Sequence, residues 1–428
     1  MRSRLTTFIF LGMLLGIVVG YACSLIWPDP QTAKTIAGYI SLISDIFLRL
    51  IKMIIAPLVF STLVVGIANM GDTGSVGRVG GKALLWFVGA SLVSLLLGLL
   101  MVNILRPGEA LNLPLPDVGA STSIKATSLS LKEFVTHLVP KSAIEAMANN
   151  EILQIVVFSI FFGVALGSLG EKGHLVAEGM EQVADVMLRI TGYVMNFAPV
   201  AVFAAIAATI TTQGLGVLVT YGKFMIEFYF SLTLLWGVLA LAGFVLVGPA
   251  MRTLLGMIKE PFVLAFSTAS SEAAYPKTLE QLERFGIPNR IASFVLPMGY
   301  SFNLDGSMMY CTFATLFIAQ AYNIPLTLGQ QLTMLLLLMV TSKGMAGVPR
   351  ASLVVISATL STFNIPEAGL LLILGVDQFL DMGRSATNVL GNAVATAAVA
   401  KWEGQLTLTD QRLDRDLDAV PAVPTAAE

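Results

Sequence analysis

The sequence predicts an all-α integral membrane protein with eight transmembrane helices, two re-entrant helical hairpins and both termini on the cytoplasmic side. Three observations lead there. Apolar residues fill 56% of the 428 positions and charged residues only 12%, about half the usage of soluble domains, and the mean hydropathy is +0.81. Apolar runs long enough to span a bilayer recur along the chain. Two further apolar runs are too short to span, and each ends in a small, polar tip.

The first span, 5–27, follows Met1-Arg-Ser-Arg4. Its apolar run is too long for a signal-peptide core and lacks a small-x-small cleavage site before Trp27-Pro28, so it reads as a retained helix that starts in the cytoplasm. The second span, 38–70, is followed by a short basic loop around Arg78 and Lys82, as expected of a cytoplasmic return. The third, 83–105, leads into the most polar internal stretch, Arg106 to Asn150, whose Pro107, Pro114 and Pro116 mark an external loop. Spans four and five follow at 151–170 and 181–211, and the sixth at 218–249. The seventh, 285–321, is interrupted at Gly299-Tyr-Ser-Phe-Asn-Leu-Asp-Gly306. The eighth, 367–402, precedes a weakly ordered cytoplasmic tail, 403–428, of mixed charge.

The hairpins lie between these spans. Pro261 to Phe266 runs into Ser267-Thr-Ala-Ser-Ser-Glu272 and turns helical again over Ala274 to Glu283. Met334 to Val340 runs into Thr341-Ser-Lys-Gly-Met-Ala-Gly-Val-Pro349, then into a helix over Ser352 to Leu360. Tips of this kind leave backbone groups free at membrane depth, which is tolerated where protein or a water-filled cavity surrounds them. The break in the seventh span likewise frees carbonyls beside Asn303 and Asp305, and hard cations favour such oxygens.

The eighth span carries the chemistry. Asp377, Asp381, Arg384, Asn388 and Asn392 are spaced 4, 3, 4 and 4 apart, one stripe over roughly 22 Å of helix. Ionisable groups at this depth face a bundle interior or cavity, where they pair with each other or a ligand. Discontinuous helices next to such a stripe fit the pattern of secondary transporters. Other charges read as structural: Asp45, Arg49 and Lys52, and Asp185 with Arg189, as snorkelling or paired groups; His137 and His174 as surface residues; Cys23 and Cys311 as buried, inert thiols. No His-Glu-x-x-His, serine dyad or basic run points to an enzyme or to nucleic-acid binding, and no cofactor is expected.

Ser270-Ser271, Asn303-Leu-Asp305-Gly306, Gly344-Met-Ala-Gly347-Val-Pro349 and Asp381-Met-Gly-Arg384 through Asn388 resemble, in order and spacing, the signatures of the glutamate transporter homologues, the dicarboxylate/amino acid:cation symporter family. Lys52-Met-Ile-Ile-Ala-Pro57-Leu-Val59, with Ser61 and Gly66, is similar to the family's second-helix motif. The pattern resembles the bacterial proton/glutamate-aspartate symporters in particular, over nearly the whole chain apart from the tail.

This resemblance implies an elevator-type homotrimer in the inner membrane, in contact with membrane lipid. Residues 1–82 (spans one and two) and 106–217 (the external loop with spans four and five) would form the scaffold. The third span (83–105) and residues 218–402 would form a moving transport domain, gated by the hairpin tips. The resemblance assigns a distal carboxylate to Arg384 and an α-amino group to Asp381. The residue chemistry agrees, because guanidinium matches carboxylate and a carboxylate accepts an ammonium. Ser270, Ser271, Ser307, Val348, Ser352 and Asn388 complete the expected substrate contacts. A glutamate or aspartate substrate is expected, with a C4-dicarboxylate as the alternative and an Asp381–Arg384 pair that only neutralises itself as the structural reading.

For the coupling ion the expected residues are Gly299, Ser301, Asn303, Asp305, Ser342, Lys343, Asp377, Asn388, Asn392, Ser91 and Glu272. Three departures from sodium-driven relatives favour a proton over sodium. Asn392 stands where they carry aspartate, Ala90 where they carry threonine, and Lys343 where they have an uncharged residue. Asn303, Asp305 and Asn388 would then be vestigial sodium ligands. Glu272 is the leading proton carrier, with Asp305 and Asp377 behind it; a permanent pairing of Glu272 with Lys343 or Arg350 is the alternative. Arg350 itself reads as a snorkelling residue. Met308, Met309 and Met345 read as packing residues that could instead line the ion path.

Overall fold

A computed structural model describes residues 2–68, 73–109, 136, 139–214, 221–342, 351–374 and 376–407. Val348, Lys343, Met345, Arg350, Gly375 and His137 lie outside the described residues.

The described chain is helical. Three long helices come first: α1 (Arg2–Ile26), α2 (Pro30–Ala68) and α3 (Thr73–Leu105). The short α4 (Ala143–Ala148) precedes α5 (Ile152–Ser168). Two helices, α6 (His174–Met195) and α7 (Ala198–Gln213), follow, and then α8 (Gly222–Val247). After α9 (Met251–Met257), α10 (Lys259–Thr268) and α11 (Tyr275–Phe285) form a helix–tip–helix unit with a 3₁₀ turn at Glu272–Ala274. Next come α12 (Asn289–Phe302), α13 (Asp305–Ala321), α14 (Leu328–Thr341), α15 (Ala351–Thr362), α16 (Leu370–Leu374) and α17 (Asp377–Trp402). By length and composition four single helices among the described residues can cross a membrane: α1, α2, α3, and α8 together with the helix that continues it to Met257. The α6–α7 pair makes a fifth if taken as one span, and it bends by 54°.

Several boundaries differ from the sequence expectation. The second and third helices begin about two to three turns earlier than the apolar runs, at Pro30 and Thr73, because polar residues extend a helix beyond its lipid-facing part. The expected fifth span is two helices; Pro199, in the first turn of α7, fits a helix start. The break in the seventh narrows to Asn303 and Leu304, because Asn303 N still donates to Gly299 O at 2.8 Å. The long helix of the eighth span starts at Asp377, after a 3₁₀ turn and α16.

Packing sorts the helices into two groups. α1, α2, α5, α6 and α7 pack against one another, while α3, α8 and α10 through α17 surround α17 and α13. Backbone approach explains the α1–α7 pair: a Cβ at Gly16 would meet Phe203 O at 2.7 Å, and one at Gly20 would meet Ala207 O at 2.6 Å. The groups meet where α2 and α5 touch α12, and where α7 and α1 touch α10. At the far end of α17, Glu403 takes ion pairs from Arg78 (3.1 Å) and Lys82 (2.7 Å). Arg290 Nε donates to Gln405 Oε1 at 2.9 Å, and Thr407 N to Gly286 O at 3.2 Å. The first residues of the expected loose tail are therefore docked.

Candidate substrate and ion site

The stripe on α17 faces inward, as its spacing requires. Asp377, Arg384, Asn388 and Asn392 are buried, while the Asp381 side chain keeps 30% of its surface. Arg384 Nη2 lies 3.1 Å from Asp377 Oδ1 and 3.0 Å from Asp381 Oδ1. Its guanidinium also stacks on Tyr310, with Cζ 4.0 Å from the ring centroid, and Tyr310 Oη donates to Asp377 Oδ1 at 3.1 Å. One cation is thus oriented by two carboxylates and an aromatic face, an arrangement that also offsets the cost of burying it. Arg384 Nε and Nη1 are buried and have no hydrogen-bond partner among the described residues. Two unpaired donors on a buried guanidinium beside a partly exposed carboxylate suit a ligand carrying a carboxylate and an amine.

The break between α12 and α13 supplies the second half of the site. Gly306 N donates to Asn388 Oδ1 (3.0 Å), and Asn388 Nδ2 lies 3.4 Å from Ser307 Oγ. This close approach needs a glycine: a Cβ at Gly306 would stand 2.6 Å from Arg384 O. Below it, Asn303 Nδ2 donates to both Asp305 Oδ2 (3.1 Å) and Asn392 Oδ1 (3.2 Å). Ser94 Oγ lies 3.2 Å from Asp305 Oδ1, and Ser91 Oγ donates to Phe302 O at 3.3 Å. Buried Asn303 Oδ1, Ser301 Oγ, Thr312 Oγ1 and Asn392 Nδ2 have no partner among the described residues. The cluster therefore holds one carboxylate, several neutral oxygens and an amide NH₂ in its middle.

The predicted residues divide accordingly. Asp381, Arg384, Asn388 and Ser307 come together, as do Ser91, Asn303, Asp305 and Asn392, with Gly299 against Asn392 and Ser301 nearby on α12. Asp377, expected among the ion-coupling residues, accepts from Tyr310 on the second half of the broken helix and also holds Arg384. Ser352 is buried and reaches Cys311, the neighbour of Tyr310. Ser342 caps α14, its hydroxyl on Met339 O at 3.2 Å. The bonds of Ser270 and Ser271 stay within the first hairpin: Ser270 N donates to Ala265 O (3.2 Å), Ala273 N to Ser270 Oγ (3.3 Å) and Ala274 N to Ser271 O (3.1 Å). Ala269 enters that tip with φ 49°, a left-handed conformation that a non-glycine residue adopts at a cost. Glu272 is half-buried, with Lys52 of α2 as its charged neighbour. Met308 and Met309 are buried among apolar neighbours.

Tyr310 and Ser94 were not singled out in the sequence. Each lies three residues beyond a residue that was, Ser307 and Ser91, on the same helical face. Their partners lie on other helices, however, and nothing in local spacing names those.

The sequence matches the sodium:dicarboxylate symporter family over residues 5–402. It is similar to a proton/sodium-glutamate symport protein of Bacillus caldotenax, 42% identical over 404 residues that cover 93% of this chain and 94% of the relative. It is also similar to C4-dicarboxylate transport proteins of Bacillus subtilis (39% identical; 94% of each chain) and Citrifermentans bemidjiense (41% identical; 96% of this chain and 94% of the relative). With the match spanning nearly every helix described above, the chain belongs to the sodium:dicarboxylate symporter family.

Proposed function

We propose that this protein is a secondary active symporter, not an enzyme, that imports glutamate or aspartate across the inner membrane with protons by alternating access. The observation that carries the substrate reading is Arg384, buried with two unpaired donors and flanked by the partly exposed Asp381. The guanidinium takes the side-chain carboxylate, Asp381 takes the α-ammonium, and Asn388 and Ser307 border the same space. The first tip, with Ser270 and Ser271, and the second, with Val348 and Ser352, close on the α-carboxylate from opposite sides.

The relatives' names span glutamate and C4-dicarboxylates, protons and sodium. An amine acceptor favours the amino acid over the dicarboxylate. Among the ion residues, Asn392 contributes an amide, Ala90 no oxygen, and the Asn303 amide occupies the centre of the cluster, all of which weaken sodium coordination. Of the three candidate proton carriers, Asp377 is engaged with Arg384 and Asp305 with Asn303 and Ser94. The Glu272 carboxylate takes no hydrogen bond among the described residues, which favours it as the group that loads and unloads.

The two packing groups fit a scaffold of α1, α2 and α4 through α7 and a transport domain of α3 and α8 through α17. In this reading the two groups slide past one another as an elevator, in an eight-span, two-hairpin protein that assembles as a homotrimer with cytoplasmic termini, as the family resemblance implies. Uptake of labelled aspartate into liposomes tests the reading. It should saturate, be competed by glutamate more strongly than by succinate, and vanish in Arg384→Ala. Stronger competition by succinate would make the protein a dicarboxylate carrier, and currents without accumulation would make it a channel.

A further inference from the structure

Hydroxyl groups line the seam where α2 meets the first hairpin and α12. On α12, Ser293 and Tyr300 are seven residues apart, two turns, and so share a face. On α2, Thr62 and Gly66 are four apart, and Gly66 brings the backbone so near that a Cβ there would lie 2.7 Å from Ser293 Oγ. From α11, Tyr275 sets its ring edge-on to Tyr300, with centroids 5.4 Å apart. The Thr62 hydroxyl lies within hydrogen-bonding reach of the Tyr275 hydroxyl, and that of Thr278 within reach of the Tyr300 hydroxyl. All five hydroxyl-bearing residues are buried. Thr62 and Thr278 donate their own protons to Leu58 O and Ala274 O, and no well-aligned hydrogen bond holds the hydroxyls of Tyr275, Tyr300 or Ser293 among the described residues.

An unpaired buried hydroxyl is costly, so three along one seam are unusual for packing alone. A carboxylate stands at each end. Glu272, in the tip, interacts with Tyr300. Glu283, near the end of α11, interacts with Tyr275 and with the exposed Asp185 of α6, and Asn289 donates to it. Among the described residues, the charged and titratable groups facing Glu272 are Lys52 from α2 and Tyr300 from α12; Glu280 completes the set around Glu283.

We infer that this seam is a proton path, in which the hydroxyls of Tyr300, Tyr275 and Ser293, with intervening water, carry protons between Glu272 at the tip and Glu283 with Asp185 at the other end of α11. The proposal rests on the proton-coupled reading above and adds the route. Each hydroxyl accepts a proton on its oxygen as it passes its own onward, so it keeps one proton, and its O–H then rotates back before the next transfer. The Glu272 carboxyl loses one proton and the Glu283 carboxylate gains it. Because the seam lies between the two packing groups, a slide of one against the other would open or close the route.

The test uses the full-length protein in liposomes, comparing wild type with Tyr300→Phe, Tyr275→Phe and the double variant. Phenylalanine keeps the 5.4 Å ring contact and removes only the unpaired hydroxyl, so thermal stability should hold or rise. Exchange of external labelled aspartate for internal unlabelled aspartate at equal pH needs no net proton release and should stay within about twofold. Net uptake driven by a pH gradient should fall about tenfold or more in the double variant, a loss in the range of a removed proton-transfer group. Equal losses of exchange and net uptake, unchanged net uptake, or a fall in thermal stability would each overturn the path. A wild-type protein whose uptake ignores the pH gradient would instead remove the proton-coupled reading, and the path with it.

Discussion

Replacing Asp381 with asparagine separates the two explanations of the Asp381–Arg384 contact. Asp381 lies 3.0 Å from Arg384 Nη2 with 30% of its side chain exposed, whereas Asp377 lies 3.1 Å from the same nitrogen with 2% exposed. Asp377 and the Tyr310 face therefore keep the guanidinium in place when Asp381 becomes neutral. An amino acid then loses a charged acceptor for its ammonium, about 1.5–3 kcal/mol, which corresponds to roughly tenfold to a hundredfold weaker binding. Succinate has no ammonium to lose. It meets a cluster whose two carboxylates and one guanidinium, net −1, have become neutral, so its binding should hold or improve. Inhibition constants for glutamate, aspartate and succinate against labelled aspartate, in liposomes with wild type and Asp381→Asn, read the difference directly. Equal weakening of all three would refute the reasoning and leave Asp381 as a counter-charge to Arg384 alone.

Three further expectations follow from the packing and the charges. Gly391→Ala would put a Cβ 1.9 Å from Asp305 Oδ2, displacing that carboxylate from Asn303; gradient-driven uptake should fall about tenfold or more, while a protein with normal uptake would mean the Asp305 cluster is not used. Gly16→Leu would force α1 off α7, where the blocking atom is a backbone carbonyl at 2.7 Å; detergent-solubilised protein should lose about 1–3 kcal/mol of stability, seen as a lower melting temperature, with aspartate affinity unchanged. Burial would raise the Glu403 carboxyl, but hydrogen bonds from Lys82 and Arg78 outweigh it and hold the group below its ordinary value of 4.5. A depressed carboxyl contributes stability that is complete above about pH 4.5 and is lost as the pH falls further, so melting curves between about pH 6 and pH 3 should show an acid-limb loss that Glu403→Gln lacks.

Much of the fold was legible because lipid imposes simple arithmetic on a chain. Apolar run lengths located the long helices, and the first of the two short runs located the helix–tip–helix unit around Ser270; most of the second tip lies outside the described residues. Helical periodicity placed Asp377, Arg384, Asn388 and Asn392 on one buried face. Periodicity is silent about contacts between helices, and there the reading stopped. Asp377 bonds Tyr310 of α13 while it also holds Arg384, a pairing that spacing along α17 alone does not name. Ser94 joins Asp305 across some two hundred residues, and Glu403 closes on Arg78 and Lys82 from a segment expected to be a loose tail. Helix starts were misjudged at Pro30 and Thr73 because hydropathy marks where lipid begins, whereas backbone hydrogen bonding decides where a helix begins.

The most direct test is labelled-aspartate uptake by the purified protein in sealed liposomes, with the sodium gradient and the pH gradient imposed separately. Concentrative uptake driven by an acidic exterior, in sodium-free buffer on both sides, is the predicted result. Uptake that requires a sodium gradient and ignores the pH gradient would contradict it.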